Sequence, residues 1–147
     1  TEPDRYNWHP DFNVTCTYDD GVQLVTMAKG ENGVKFEGEE GWIFVNRSKI
    51  DASDRKLIDE PLPGNAVRLE VSTNHMGDFI NCVRTRKRPI CDVEIGHRSV
   101  TVCHIENISL LLGRKLQWDP KAERFVNDDE ANAMLSREMR SPWKLEV

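Results

Sequence analysis

A period-two alternation of polar and apolar residues opens the ordered pattern of this chain. Val14, Cys16 and Tyr18 alternate with Asn13, Thr15 and Thr17, and after Asp19-Asp20-Gly21 a second β-rich run covers 22–28. Two such runs joined by a short Asp-Gly segment predict a β-hairpin, because Gly supplies the positive φ that tight antiparallel turns require. The turn at Gly30 to Gly33 leads into a short strand over 34–37, and Gly38 to Gly41 turns again into Trp42-Ile43-Phe44-Val45, apolar on both faces. The pattern is a four-strand antiparallel meander whose last strand is central or covered on both sides. Residues 46–71 are polar and interrupted by Pro61 and Pro63, so they read as surface connection with a short strand around 49–52.

The period then becomes helical. Met76, Phe79, Ile80 and Val83 recur at helix spacing behind a cap at Ser72 or Thr73, and the basic run Arg84 to Arg88 closes that helix. The longest helix signal lies within 89–119. It starts near Gly96 and Ser99, carries Val100, Cys103, Asn107, Ile108, Leu111 and Leu112 on one face, and stops at Gly113, with Arg114 and Lys115 at the negative end of the dipole. A short strand follows over 115–118, closed by Asp119-Pro120, and the acids at 128–130 open a short helix over 131–137. Residues 1–11 read as an irregular lead-in and 141–145 as an extended tail fixed by Trp143. The expected architecture is α+β: a two-layer sandwich with an open, mainly antiparallel sheet and helices packed on one face.

Composition narrows the class. A chain of 147 residues is one domain's worth and can bury about two thirds of its unfolded surface without a disulfide staple. Apolar content of 38% and charged content of 31% suit a soluble protein, and no apolar run reaches the roughly 18 to 20 residues a membrane span needs. A net charge of -5 argues against nucleic acid, and the basic run at 84–88 is read as a solvated helix end. The cysteines at 16, 82, 91 and 103 form no CxxC pair and read as reduced, structural residues; the spacing of the last three with His104 matches no zinc loop, so no metal site is assigned. The chain opens without a methionine, so its start is read as internal to a longer protein, expected to be cytoplasmic unless an upstream export signal exists.

Candidate chemistry is sparse. Gly-x-Gly-x-x-Gly, Gly-x-x-x-x-Gly-Lys, His-Glu-x-x-His and Gly-x-Ser-x-Gly are all absent, and the acidic patches GENG and GEEG read as hairpin turns rather than phosphate cradles. No catalytic residue is assigned. His97 and Arg98 are the best-placed candidates, because a helix start collects orphan N–H groups and partial positive charge suited to hydroxyl-rich or carboxylate ligands. Equally, they could cap the helix or pair with Asp92 and Glu94. His75, Trp8 and His9 complete the candidate pocket lining, while His104 lies mid-helix.

Three stretches carry a resemblance: NGVKFEGEEGWIFVNR, HMGDFINCVRTRKRPICDVEIGHRSVTVCHIENISLLLGRKLQWDP and ERFVNDDEANAMLSREMRSPWKL. Together they resemble the C-terminal part of the Gfo/Idh/MocA oxidoreductases, from about Phe12 to Leu145, including bacterial dehydrogenases that end in Arg-x-Pro-Trp. The resemblance implies an N-terminal Rossmann domain that binds NAD(P) and a C-terminal α+β domain that covers substrate. That domain's open sheet face commonly supports a homo-oligomer, and many members act on sugars, inositols and related polyols. The glycine-rich fingerprint, the Glu-Lys-Pro-type motif and the usual catalytic Asp and His are missing from these residues. So 1–147 is expected to be a single C-terminal domain, inactive and binding no dinucleotide by itself. Two alternatives stand beside this reading: a non-enzymatic association module and an NAD-dependent glycoside hydrolase relative.

Overall fold

In the computed structural model, which describes residues 11–144, the described chain divides into two units, one formed by 11–28 with 91–144 and the other by 29–90. In the first, the hairpin forms where the alternation places it. β1 (Asn13–Thr17) pairs antiparallel with β2 (Gln23–Met27), with Val14 opposite Thr26 and Cys16 opposite Leu24. Opposed residues share a face, so one hairpin face carries Val14, Cys16, Leu24 and Thr26. β1 lies against the long helix α3 (Val93–Leu112).

α3 begins earlier than the Gly96–Ser99 region. Asp92 caps it, its carboxylate accepting the Ile95 N–H at 3.1 Å, and Gly113 ends it in the left-handed conformation at φ 65°, as its sequence position predicts. The buried face also differs from the expected one. Val100 and Cys103 face solvent, whereas Ile105, Ile108 and Leu112 pack with Leu116, Trp118, Phe125 and Ala131 into the core of this unit. The segment after the helix fixes that choice. The strand expected over 115–118 is a two-residue β6 (Trp118–Asp119), paired with β7 (Arg124–Phe125), and the Trp118 and Phe125 rings meet edge to face at 5.1 Å. Asn132 closes the open side of β7: its amide donates to Phe125 O at 2.9 Å and its oxygen accepts Phe125 N–H at 2.8 Å. Asn132 sits in α4 (Asp129–Ala133), capped by Asp128 and ending before Arg137, the expected limit. Trp143 does not fix the tail against a core; it is 66% exposed.

The 29–90 unit holds the other sheet, in the order β3-β4-β5, built from β3 (Val34–Gly38), β4 (Gly41–Val45) and β5 (Ile50–Ala52). β4 is the central strand, as its apolar faces predict, and all its pairings are antiparallel. The meander is therefore divided between two sheets among the described residues rather than forming one open sheet, although the α+β class holds. A single helical turn, α1 (Lys56–Asp59), interrupts the stretch read as connection, tied by the Arg55–Asp59 ion pair. α2 (His75–Thr85) is capped by Asn74, not Ser72 or Thr73, because the Asn74 oxygen reaches Gly77 N–H at 2.8 Å. Arg84 occupies its last turn and Arg86 its left-handed cap, so the basic run does close the helix. Its apolar stripe nevertheless stays exposed at Met76, Phe79, Ile80 and Val83, and the buried side chain is Cys82, whose thiol donates to Asp78 at 3.8 Å. No helix among the described residues is long and apolar enough to cross a membrane.

Candidate functional site

The first two turns of α3 and the turn between β6 and β7 bring Glu94, His97, Arg98 and Glu123 together. The turn is shaped by Asp119, whose carboxylate accepts the N–H groups of Lys121 at 2.8 Å and Ala122 at 3.0 Å; these bonds hold its pKa below the usual carboxylate range. Glu123 follows in the left-handed conformation, φ 51°. Its Oε1 lies 2.9 Å from His97 Nε2 and 3.1 Å from Arg98 Nη1. The hydrogen bond from His97 is the main reason its carboxyl is held below its ordinary pKa. A carboxylate only accepts, so His97 Nε2 is the donor of this bond. Arg98 ties helix to turn: Nε donates to Glu94 Oε1 at 2.7 Å and Nη1 to the Pro120 carbonyl at 3.1 Å.

This geometry moves His97 and Arg98 off the helix start. With α3 beginning at Val93, they lie in its second turn, and Gly96 N–H is already bonded to Asp92 O at 3.1 Å. The orphan N–H groups of the helix start therefore precede them. Arg98 pairs with Glu94, one of its two expected partners, but His97 meets Glu123, a residue 26 positions away that the sequence pattern does not single out. No local pattern could have found it, since the contact depends on the fold of the 119–123 turn. His75 is the exposed first residue of α2 in the 29–90 unit, and His104 is exposed on α3. Trp8 and His9 lie outside the described residues.

Two further polar sites lie in the same unit. A shallow depression of about 300 Å³ is lined by Asp119, Arg124, Asn127, Asp128 and Asn132 among others. Two of its carboxylates are engaged: Asp119 in its own turn, and Asp128, which takes both terminal nitrogens of the Arg114 guanidinium and the Ala131 N–H, the Arg114 bonds leading in lowering its pKa to about 2. Deeper, Glu106 is 7% exposed on α3 and its Oε1 accepts from Thr26 Oγ1 at 2.9 Å and from the Cys16 thiol at 3.5 Å. Burial, then the charge and hydrogen bond of Glu106, push the Cys16 thiol up to about 11. The four cysteines are free, but Cys91 and Cys103 are exposed rather than packed. No group of three or more His, Cys, Asp or Glu among the described residues is placed to hold a metal ion.

Nor do the glycine-rich turns form a phosphate cradle. They precede and follow β3 and are filled by side chains: Glu31 accepts from Lys49 and Asn46, the Phe44 ring lies against Gly33, and Ser53 and Leu57 crowd Gly41 where a phosphate would need open backbone. The Gfo/Idh/MocA family model described as "Oxidoreductase family, C-terminal alpha/beta domain" matches residues 6–145, spanning both units. No curated protein and no solved structure matches the chain.

Proposed function

Since the chain belongs to the Gfo/Idh/MocA oxidoreductases as their C-terminal domain, we propose that it supplies part of the substrate pocket of an NAD(P)-dependent dehydrogenase acting on a sugar, inositol or related polyol. In this reading the dinucleotide is held by an N-terminal Rossmann domain of the longer protein. The misfit between the glycine-rich turns here and a phosphate cradle supports that division of labour.

The observation that carries the substrate class is the charge balance between the first two turns of α3 and the 119–123 turn. Arg98 is matched by Glu94 and Glu123, and His97 by Glu123, so no surplus positive charge is left for a carboxylate or phosphate ligand. Paired donors and acceptors a few ångströms apart suit vicinal hydroxyls, which both give and take hydrogen bonds. The exposed Val34 and Phe36 of β3 give this domain a sheet face for a subunit interface, the second role proposed for it. The test joins the chain to its upstream segment and measures NAD(H) and NADP(H) binding, then turnover over a panel of sugars, inositols and sugar acids. Dinucleotide binding with oxidation of a neutral polyol is the expected result. A full-length protein that binds no dinucleotide, or that turns over only anionic substrates, overturns the reading.

A further inference from the structure

The apolar stripe of α2 and the basic run behind it meet at one end of the helix. Met76, Phe79, Ile80 and Val83 recur at i, i+3, i+4 and i+7, the spacing of a single helix face, and each is between 45% and 64% exposed. Other positions hold the helix to its unit. Cys82 is buried and its thiol donates to Asp78 Oδ1, while Asp78 Oδ2 accepts the Ile90 N–H at 3.4 Å. Asp78 is the one acid of α2, and these bonds direct it to the Cys82 side, so the stripe carries no carboxylate. Arg84 stands four residues after Ile80, at the edge of the stripe, and Arg86 and Lys87 follow it, all three exposed. Four of the five residues 84–88 are cationic in a chain whose net charge is -5.

The two features together select what binds. Nucleic acid or a soluble anion would use the cations and leave four large apolar side chains in water. An acidic amphipathic helix would use both, but such a helix seats in a groove, and a single helix face is convex. A bilayer places an apolar phase directly beneath a layer of negative charge and conforms to a convex face. We infer that α2 rests in the interface of an anionic lipid bilayer, with Met76, Phe79, Ile80 and Val83 at the acyl boundary and Arg84, Arg86 and Lys87 among the headgroups. With 11 residues the helix is about 16 Å long, so it lies along the surface rather than across it. So small an apolar face gives reversible attachment that depends on charge. This attachment is independent of the substrate reading and of the β3 face.

Co-sedimentation of the 147-residue chain with vesicles tests it, comparing phosphatidylcholine alone with an equal mixture of phosphatidylcholine and phosphatidylglycerol. The chain binds the mixed vesicles, binds the neutral ones on the order of tenfold or more weakly, and is released as salt is raised. The double variant R84E/K87E weakens binding to the mixed vesicles on the order of tenfold or more, and Phe79→Ser or Met76→Ser weakens it at unchanged charge. Circular dichroism of the variants without lipid, matching that of the original, separates lost binding from lost fold. The lipid and salt comparison on the unsubstituted chain stands whatever the variants do. No binding, equal binding to both kinds of vesicle, or folded variants that all bind like the original overturns the proposal. Binding to duplex DNA or to polyglutamate as tight as to the mixed vesicles assigns the run to a polyanion and overturns it as well.

Discussion

The two units of this chain carry similar apolar patterns and bury them differently. In the unit of 11–28 and 91–144, Ile108, Phe125, Ala131 and Glu106 are withdrawn from solvent; among the described residues of 29–90 only Cys82 is. The difference lies in what each helix meets. α3 is 20 residues long and serves both the hairpin at β1 and the β6–β7–α4 cluster, whereas α2, with 11 residues, leaves its stripe of Met76, Phe79, Ile80 and Val83 open. Helical periodicity tells which face seeks cover; it does not tell whether the same chain provides it. The unit with its own core is also the one that positions the His97–Glu123 cluster.

Breaking that contrast starts with Phe125, the largest fully buried side chain. Phe125→Ala should cost about 3–5 kcal/mol in urea unfolding, through lost burial, the cavity and the lost contact with Trp118. Glu106→Ala should cost about 1–3 kcal/mol, because the Thr26 hydroxyl and Cys16 thiol lose their acceptor, while Glu106→Gln, which keeps an oxygen there, should cost less than half as much. Cys16 offers a kinetic check on the same site. With its pKa near 11, alkylation at pH 8 should run about a hundredfold slower than for a thiol of ordinary pKa. Peptide mapping should find Cys91 and Cys103 labelled first.

Smaller effects sharpen the contrast further. Asp128 has a folded pKa of about 2, below its ordinary value of about 4, so its contribution to stability is present above the unfolded pKa and is lost as pH falls from about 4 to about 2. Asp128→Asn should flatten the fall of the unfolding midpoint over that window. Substitutions on the open stripe of α2 should do least: Phe79→Ser, measured at a concentration where the chain is monomeric, should shift stability by no more than about 0.5 kcal/mol. A cost above about 2 kcal/mol there would show that the stripe is covered and would remove the contrast between the units.

Local pattern was enough for several elements. The hairpin, the central strand β4, the short strand at Ile50–Ala52 and the stop of α3 at Gly113 all follow from alternation and turn chemistry within a dozen residues. Features that depend on distant partners were not legible. Phe125 lies in the polar stretch Ala122 to Asp128 and gains its burial from Trp118, α3 and α4. Glu106 reads as a solvated position on a helix until β1 and β2 bring Cys16 and Thr26 to it. The same holds for the candidate site. His97 and Arg98 stand out by type and place, but the residue that orients them, Glu123, is set by a left-handed backbone and an Asp119 turn that no helix periodicity encodes.

The proposed site is tested most directly by steady-state kinetics of the full-length protein carrying Glu123→Gln. The pair is exposed and screened by solvent, so the variant should remain folded. The reading predicts a KM for the polyol raised on the order of tenfold, with NAD(P) binding unchanged, since the carboxylate orients His97 and Arg98 toward hydroxyls and touches no dinucleotide. An unchanged KM, or a loss confined to dinucleotide affinity, would contradict it.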